Sequence, residues 1–102
     1  MAIEPPTPPA VLFHGTAVKN LASIREQGLL PGKRQHVHLS RDHDTAVSVG
    51  QRHGRPVVLT VDAGRMSAAG ILFFQADNGV WLTDTVPREY LGEEPTNSDG
   101  EQ

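Results

Sequence analysis

The chain has no cysteine among its 102 residues. That absence excludes disulfides, thiolate metal ligands and thiol nucleophiles, and it is compatible with a reducing, cytoplasmic setting. No apolar run approaches the roughly 18 residues that a membrane span needs. The first residues are Pro-rich and acidic rather than basic and then apolar, so no signal peptide is expected. An excess of positive charge is missing too, because the formal net charge is −3. A general nucleic-acid coat is thereby excluded, and contact with an anionic partner has to come from a local cluster. There are no internal repeats and no heptads.

What is present fits one small globular domain, with 37% hydrophobic and 21% charged residues. Residues 1–9 hold Pro5, Pro6, Pro8 and Pro9 with little to bury, and read as a linker or stiff tail. Residues 92–102 carry Glu93, Glu94, Asp99 and Glu101 with no aliphatic side chain, and are expected to be disordered. Residues 10–91 remain to build a core, near the lower limit for a domain without staples, so the stability margin is expected to be thin.

Val11, Leu12 and Phe13 form a short apolar run that reads as a buried strand, leaving through His14, Gly15 and Thr16 into a tight turn. Thr16 is placed to cap a helix over residues 17–27, with Val18, Leu21 and Ile24 on its apolar side and Gly28 as its stop. Pro31 and Gly32 turn the chain. Ser40 or Asp42 caps a second helix running to about Arg52, with Gly54 beyond its end and Gly50 an unfavourable residue inside it. Residues 56–62 are the clearest strand, β-branched and apolar enough to be central. Residues 64–70 read as a connection in which Met66 plugs the core. Residues 71–74 and 80–83 flank Asp77, Asn78 and Gly79, a strong hairpin signal. Residues 87–91 read as a last turn or short strand. The pattern is α+β with at least part of the sheet antiparallel.

The chemistry gathers on residues 34–40. Strand alternation points Val37 and Leu39 into a core and turns His36 and His38 the other way, with Arg34 at the mouth and the Ser40 hydroxyl closing the face. Such a face suits a phosphate-bearing ligand. Arg52 and Arg55 flank a second histidine-containing turn at His53, and arginine is suited to bidentate phosphate recognition. Solvated surface charge is the plainer reading for Arg41, Arg55 and Arg65, and packing the plainer one for His36. A three-histidine metal site from His14, His36 and His38 is disfavoured: no acid lies in the same motifs, and Arg34 repels a cation. No Ser sits in a Gly-flanked elbow, no Gly-rich phosphate loop is present, and no pair of acids reads as buried.

Five segments taken together resemble one family in order and spacing. They are residues 11–16 (VLFHGT), 28–30 (GLL), 34–40 (RQHVHLS), 50–59 (GQRHGRPVVL) and 78–83 (NGVWLT) followed by Val86 and Pro87. The family is the RNA 2′-phosphotransferases, which remove the splice-junction 2′-phosphate from tRNA using NAD, and the likeness covers residues 10–91. It implies an ADP-ribosyltransferase-like fold, with two small, mainly antiparallel sheets and two helices around an NAD cleft. By that resemblance His14, His38 and Val80 are the three signature positions of the superfamily. Protein-modifying relatives often carry a catalytic Glu where Val80 stands. His14 is expected to bind a ribose hydroxyl, the Gly15 backbone to grip the nicotinamide amide, and Ser40 to sit under the nicotinamide ribose. Thr16 and Arg52 are expected among the NAD contacts, and Arg34 and His38 as catalytic residues, Arg34 on the phosphate. No metal is implied. The RNA partner is tRNA-like, with an internal 2′-phosphate.

The resemblance also implies an N-terminal, winged-helix-like lobe that supplies two arginines and a histidine, and this chain starts at what corresponds to the linker after it. Three readings stay open. The chain is the NAD-binding lobe of an RNA 2′-phosphotransferase, weak or inactive without the other lobe. It is a stand-alone ADP-ribosyltransferase for a nucleic-acid phosphate or other acceptor. Or it is a non-catalytic module that binds NAD or ADP-ribose.

Overall fold

The computed structural model describes residues 6–93. Six strands run in chain order: β1 (Leu12–Ala17), β2 (Val37–Leu39), β3 (Pro56–Val61), β4 (Phe74–Gln75), β5 (Trp81–Thr83) and β6 (Leu91–Glu93). Three helices join them: α1 (Leu21–Gln27), α2 (His43–Gln51) and α3 (Ala63–Ala68). Single 3₁₀ turns precede α1 at Val18–Asn20 and β6 at Arg88–Tyr90. The result is α+β with two antiparallel three-stranded sheets, ordered β1-β3-β6 and β2-β5-β4. None of the helices among the described residues is long and apolar enough to cross a membrane.

β3 is central in the first sheet, as its β-branched sequence predicts, and Val58, Leu59 and Val61 are buried. Two isolated bridges pin the architecture, the first joining β1 to the end of β2 and the second joining the segment after α1 to the segment after β5. Phe13 and Ser40 exchange both backbone hydrogen bonds at 2.7 Å, and Leu29 and Val86 do the same at 2.9 and 3.0 Å. Between the sheets lies one core, in which Leu12, Leu39, Leu59, Met66, Phe73 and Val86 are fully buried.

Several expectations are met. Gly28 ends α1 at φ 76°, and its amide donates to the Ile24 carbonyl at 2.8 Å. Asp42 holds the N-cap position of α2. The Asn78–Gly79 hairpin forms, with Gly79 at φ 90° and the Val80 amide donating to Asn78 Oδ1 at 3.1 Å, though its first strand is Phe74–Gln75 rather than residues 71–74.

Others are corrected. β1 does not stop before His14 but runs through Ala17, because each of its residues pairs with β3 down to Ala17 opposite Pro56. Thr16 is therefore a buried strand residue, not a helix cap, and α1 begins only at Leu21 after the 3₁₀ turn. Val18, in that turn, is exposed, and Leu21 and Ile24 alone pack on the core. The segment around Met66 is a helix, α3, capped by Asp62, whose Oδ1 accepts from the Arg65 amide at 3.3 Å. Pro8 is buried and the Ala10 carbonyl accepts from the Gly64 amide at 2.9 Å, so the chain packs before residue 10. Gly92 and Glu93, expected in a disordered tail, pair with Thr60 and Leu59 in β6. An edge strand needs backbone partners rather than aliphatic side chains, so composition did not disclose it. The remainder of the expected linker and tail, residues 1–5 and 94–102, lies outside the described residues.

Candidate functional site

The Phe13–Ser40 bridge brings the end of β2 against β1, and this places His14 beside His38. His14 Nδ1 donates to the His38 carbonyl at 3.0 Å, and His38 Nδ1 donates to the His36 carbonyl at 3.0 Å. Both rings are thus fixed through Nδ1, which leaves Nε2 as the nitrogen of each that can meet a ligand. The alternation read from the sequence holds, since Val37 and Leu39 are buried and His38 is exposed. β2 itself spans only three residues, and Arg34 stands before it in a turn closed by its own amide donating to the Pro31 carbonyl at 3.0 Å.

A cleft of about 210 Å³ opens where the two sheets meet. His14, Gly15, Thr16, Arg34 and His38 line it, five of the eight residues expected at the site. The structure does not bring Ser40, Arg52 or Val80 into that wall. Ser40 serves the sheet junction through its backbone. Arg52 is exposed at the end of α2, and its neighbour His53 lines the cleft instead. Val80 is half-buried at the hairpin leading into β5.

Other lining residues were not singled out from sequence: Asn20, Leu30, Pro31 and Val49. Asn20 follows Thr16 by four positions, but Thr16 is in β1 and Asn20 ends the 3₁₀ turn, and their contact, Nδ2 donating to Thr16 Oγ1 at 3.1 Å, depends on how the chain leaves the strand. His36 and Val37 complete the wall. The His36 and Phe74 rings also meet in a tilted, edge-to-face arrangement, with centroids 6.3 Å apart.

Gly15 is buried for a reason the sequence did not show. A Cβ there would lie 1.7 Å from the Ala46 carbonyl oxygen, so its lack of a side chain is what lets α2 lie against β1. Gly50, the unfavourable residue inside α2, is the other half of that contact: its Cβ would come within 2.7 Å of the Thr16 carbonyl oxygen.

The lining carries one arginine and four histidines and no acid. Burial holds the His14 pKa below its ordinary value. The hydrogen bond to the His38 carbonyl opposes this, and repulsion from His38, His53 and Arg34 adds to it. The ring is therefore neutral at neutral pH, with Nε2 an acceptor. Chemically the cleft offers an acceptor at His14, the guanidinium donors of Arg34, further imidazoles at His36, His38 and His53, and a hydroxyl–amide pair at Thr16 and Asn20. That set suits a polyhydroxylated, phosphate-bearing ligand. Among the described residues, no three His, Cys, Asp or Glu side chains are grouped to hold a metal ion.

Comparison with known proteins agrees with this chemistry. The family model described as "RNA 2′-phosphotransferase, Tpt1 / KptA family" matches residues 1–85. Similar curated proteins, each named "Probable RNA 2′-phosphotransferase", include one from Acaryochloris marina, 58% identical over 89 residues, covering 87% of this chain and 49% of its own length. One from Agrobacterium fabrum is 63% identical over 89 residues, with 86% and 48% covered. One from Pseudomonas fluorescens is 59% identical over 91 residues, with 89% and 50% covered. The chain spans about half the length of the curated relatives it matches.

Proposed function

The chain belongs to the RNA 2′-phosphotransferase, Tpt1 / KptA family, and from that premise we propose that its cleft binds NAD and moves an RNA 2′-phosphate onto the ADP-ribose part of that co-substrate. The fold in this reading is ADP-ribosyltransferase-like. The observation that carries the reading is the composition of the cleft, which holds Arg34, four histidines and no acid at the junction of two antiparallel sheets.

The donor set fits the co-substrate. Neutral His14, with Nδ1 committed to the His38 carbonyl, accepts through Nε2 from a ribose hydroxyl. Gly15 lines the cleft with its backbone, while its missing side chain lets α2 close against β1 behind it. Thr16, held by Asn20, presents a fixed hydroxyl oxygen. Ser40, Arg52 and Val80 act from outside the cleft wall as the co-substrate extends past it.

NAD, when bound, supplies the glycosidic carbon from which nicotinamide departs in exchange for a phosphate oxygen. The chain's part is to orient and neutralise. Arg34 would hold the phosphate by charge-assisted hydrogen bonds and stabilise the negative charge that gathers there as a ribose hydroxyl of the ADP-ribose attacks phosphorus and the RNA 2′-oxygen leaves as a hydroxyl. His38 stands exposed beside His14 with Nδ1 donating to the His36 carbonyl, and in its protonated form donates from Nε2 to the same oxygens. A phosphate nucleophile is already ionised, so no general base is required. Val80, where protein-modifying relatives carry Glu, accords with this: an aliphatic side chain cannot take a proton from a neutral acceptor.

The test is to incubate the chain with NAD and a short RNA bearing one internal 2′-phosphate, and to follow nicotinamide release and RNA dephosphorylation together. Both are expected to be weak with this chain alone, and in step with one another. Arg34→Ala is expected to abolish phosphate removal while leaving NAD affinity within about two-fold, because Arg34 acts on the phosphate. Loss of NAD affinity in that variant would overturn its role. Nicotinamide release coupled to labelling of another acceptor would replace the reading with that of a stand-alone ADP-ribosyltransferase, and NAD binding without release with that of a binding module.

A further inference from the structure

The second sheet continues the cleft on its open face. His38 lies opposite Leu82 in the β2–β5 register, and Leu82 lies opposite Phe74 in the β5–β4 register. Directly opposed residues share a face, so His38, Leu82 and Phe74 form one row across the sheet. The other face of β2 and β5 carries buried Val37, Leu39, Trp81 and Thr83. On the open face Leu82 is half-buried, while Phe74 is 42% exposed on the edge strand. Its ring is inclined at 62° to that of His36.

We propose that this row is a stacking shelf for a nucleobase of the RNA strand, beside the cleft that takes its 2′-phosphate. The proposal rests on the function proposed above and names how the acceptor is held. Two observations argue for a nucleotide rather than a general apolar partner. The shelf is continuous with the cleft, since His36 and His38 belong to both. The cleft next to it carries a cation and histidine donors with no acid, so a ligand spanning the two surfaces has to be flat at one end and anionic at the other. An unpaired base attached to a phosphorylated ribose meets that description, and single-stranded RNA is recognised by stacking on aromatic side chains. In the function proposed above the dinucleotide takes the cleft, which leaves the row beyond His38 for the acceptor strand.

The experiment measures equilibrium binding of the chain, without NAD, to a short single-stranded RNA carrying one internal 2′-phosphate. Phe74→Ala is expected to weaken binding about ten-fold, and Phe74→Tyr, which keeps the ring, to restore it. Removing the base of the phosphorylated nucleotide, or of its neighbour, is expected to cost the wild-type chain about ten-fold and the Phe74→Ala variant nothing further, as one shared contact requires. NAD affinity is expected to be the same in all three proteins. Unchanged RNA affinity in Phe74→Ala would overturn the shelf, and so would a loss of NAD affinity in its place, which would give the surface to the dinucleotide. An RNA of the same sequence without the 2′-phosphate separates the two readings. If it binds as tightly as the phosphorylated strand and Phe74→Ala still costs ten-fold, the shelf stands and the 2′-phosphate reading falls. If neither RNA binds, both fall.

Discussion

His14 shows how much one side chain can owe to its surroundings. It sits in a strand between a buried Gly15 and a half-buried Phe13, and its ring is pinned by the His38 carbonyl. Burial lowers its pKa, so the folded chain takes up a proton there less readily than the unfolded chain. The stability tied to this group is then fully present above about pH 6.5 and is lost as the pH falls through the lowered folded value. His14→Asn removes the titrating ring and should remove that part of the acid-side loss. Urea unfolding from about pH 7 down to about pH 5 is expected to show a shallower decline for the variant than for the wild-type chain. Parallel declines would mean that His14 does not titrate differently on folding. The identity of His14 as a site residue was legible in its HGT setting. Its neutral state was not, since that depends on carbonyl and cationic neighbours 20 or more residues away.

At the scale of elements, the contact that builds the cleft is α2 lying against β1. Gly15 and Gly50 face that contact from opposite sides, and their missing side chains set its closeness. Two effects compete at Gly50. Helix propensity alone favours Ala there by about 1 kcal/mol. The 2.7 Å approach of a Cβ to the Thr16 carbonyl is a clash with backbone, which cannot swing aside, and overpacking of that kind costs about 1–3 kcal/mol. The clash should win, so Gly50→Ala is expected to lower the midpoint of thermal unfolding. A raised midpoint would show that α2 can slide along β1 without loss. Elsewhere α1 is joined to β6 by Arg25, which donates to both carboxylate oxygens of Glu93 at 2.7 and 2.9 Å. The hydrogen bond from Arg25 holds the Glu93 carboxyl below the usual carboxylate range. Both groups are exposed, so the pair orients the last strand more than it stabilises it.

For the whole molecule the governing number is the net charge of −3. A chain with that balance has no long-range attraction for RNA and must bind it locally. Arg34 is the one arginine or lysine lining the cleft, and the neutral form of His14 adds no charge. One or two phosphates are therefore neutralised in the complex. With single-stranded RNA the logarithm of the binding constant is expected to fall with the logarithm of salt concentration at a slope between about −0.7 and −1.4. A titration over salt checks this. A slope steeper than about −3 would bring in cations from outside the cleft.

The sequence by itself determined the central strand, the hairpin, the stop at Gly28 and the inward side of β2, because each follows from local periodicity or turn chemistry. Its motifs also named the family, together with five residues that line one cleft. Tertiary structure decided what depends on two distant segments meeting. The Phe13–Ser40 bridge sets His14 beside His38, and Gly15 opposite α2 turns a helix defect at Gly50 into a packing requirement. Backbone pairing with β3 drew His14, Gly15 and Thr16 into a strand, and Gly92 and Glu93 into an edge, although glycine and glutamate are poor strand formers. Those hydrogen bonds lie between residues about 30 to 45 positions apart, and no local window contains both partners.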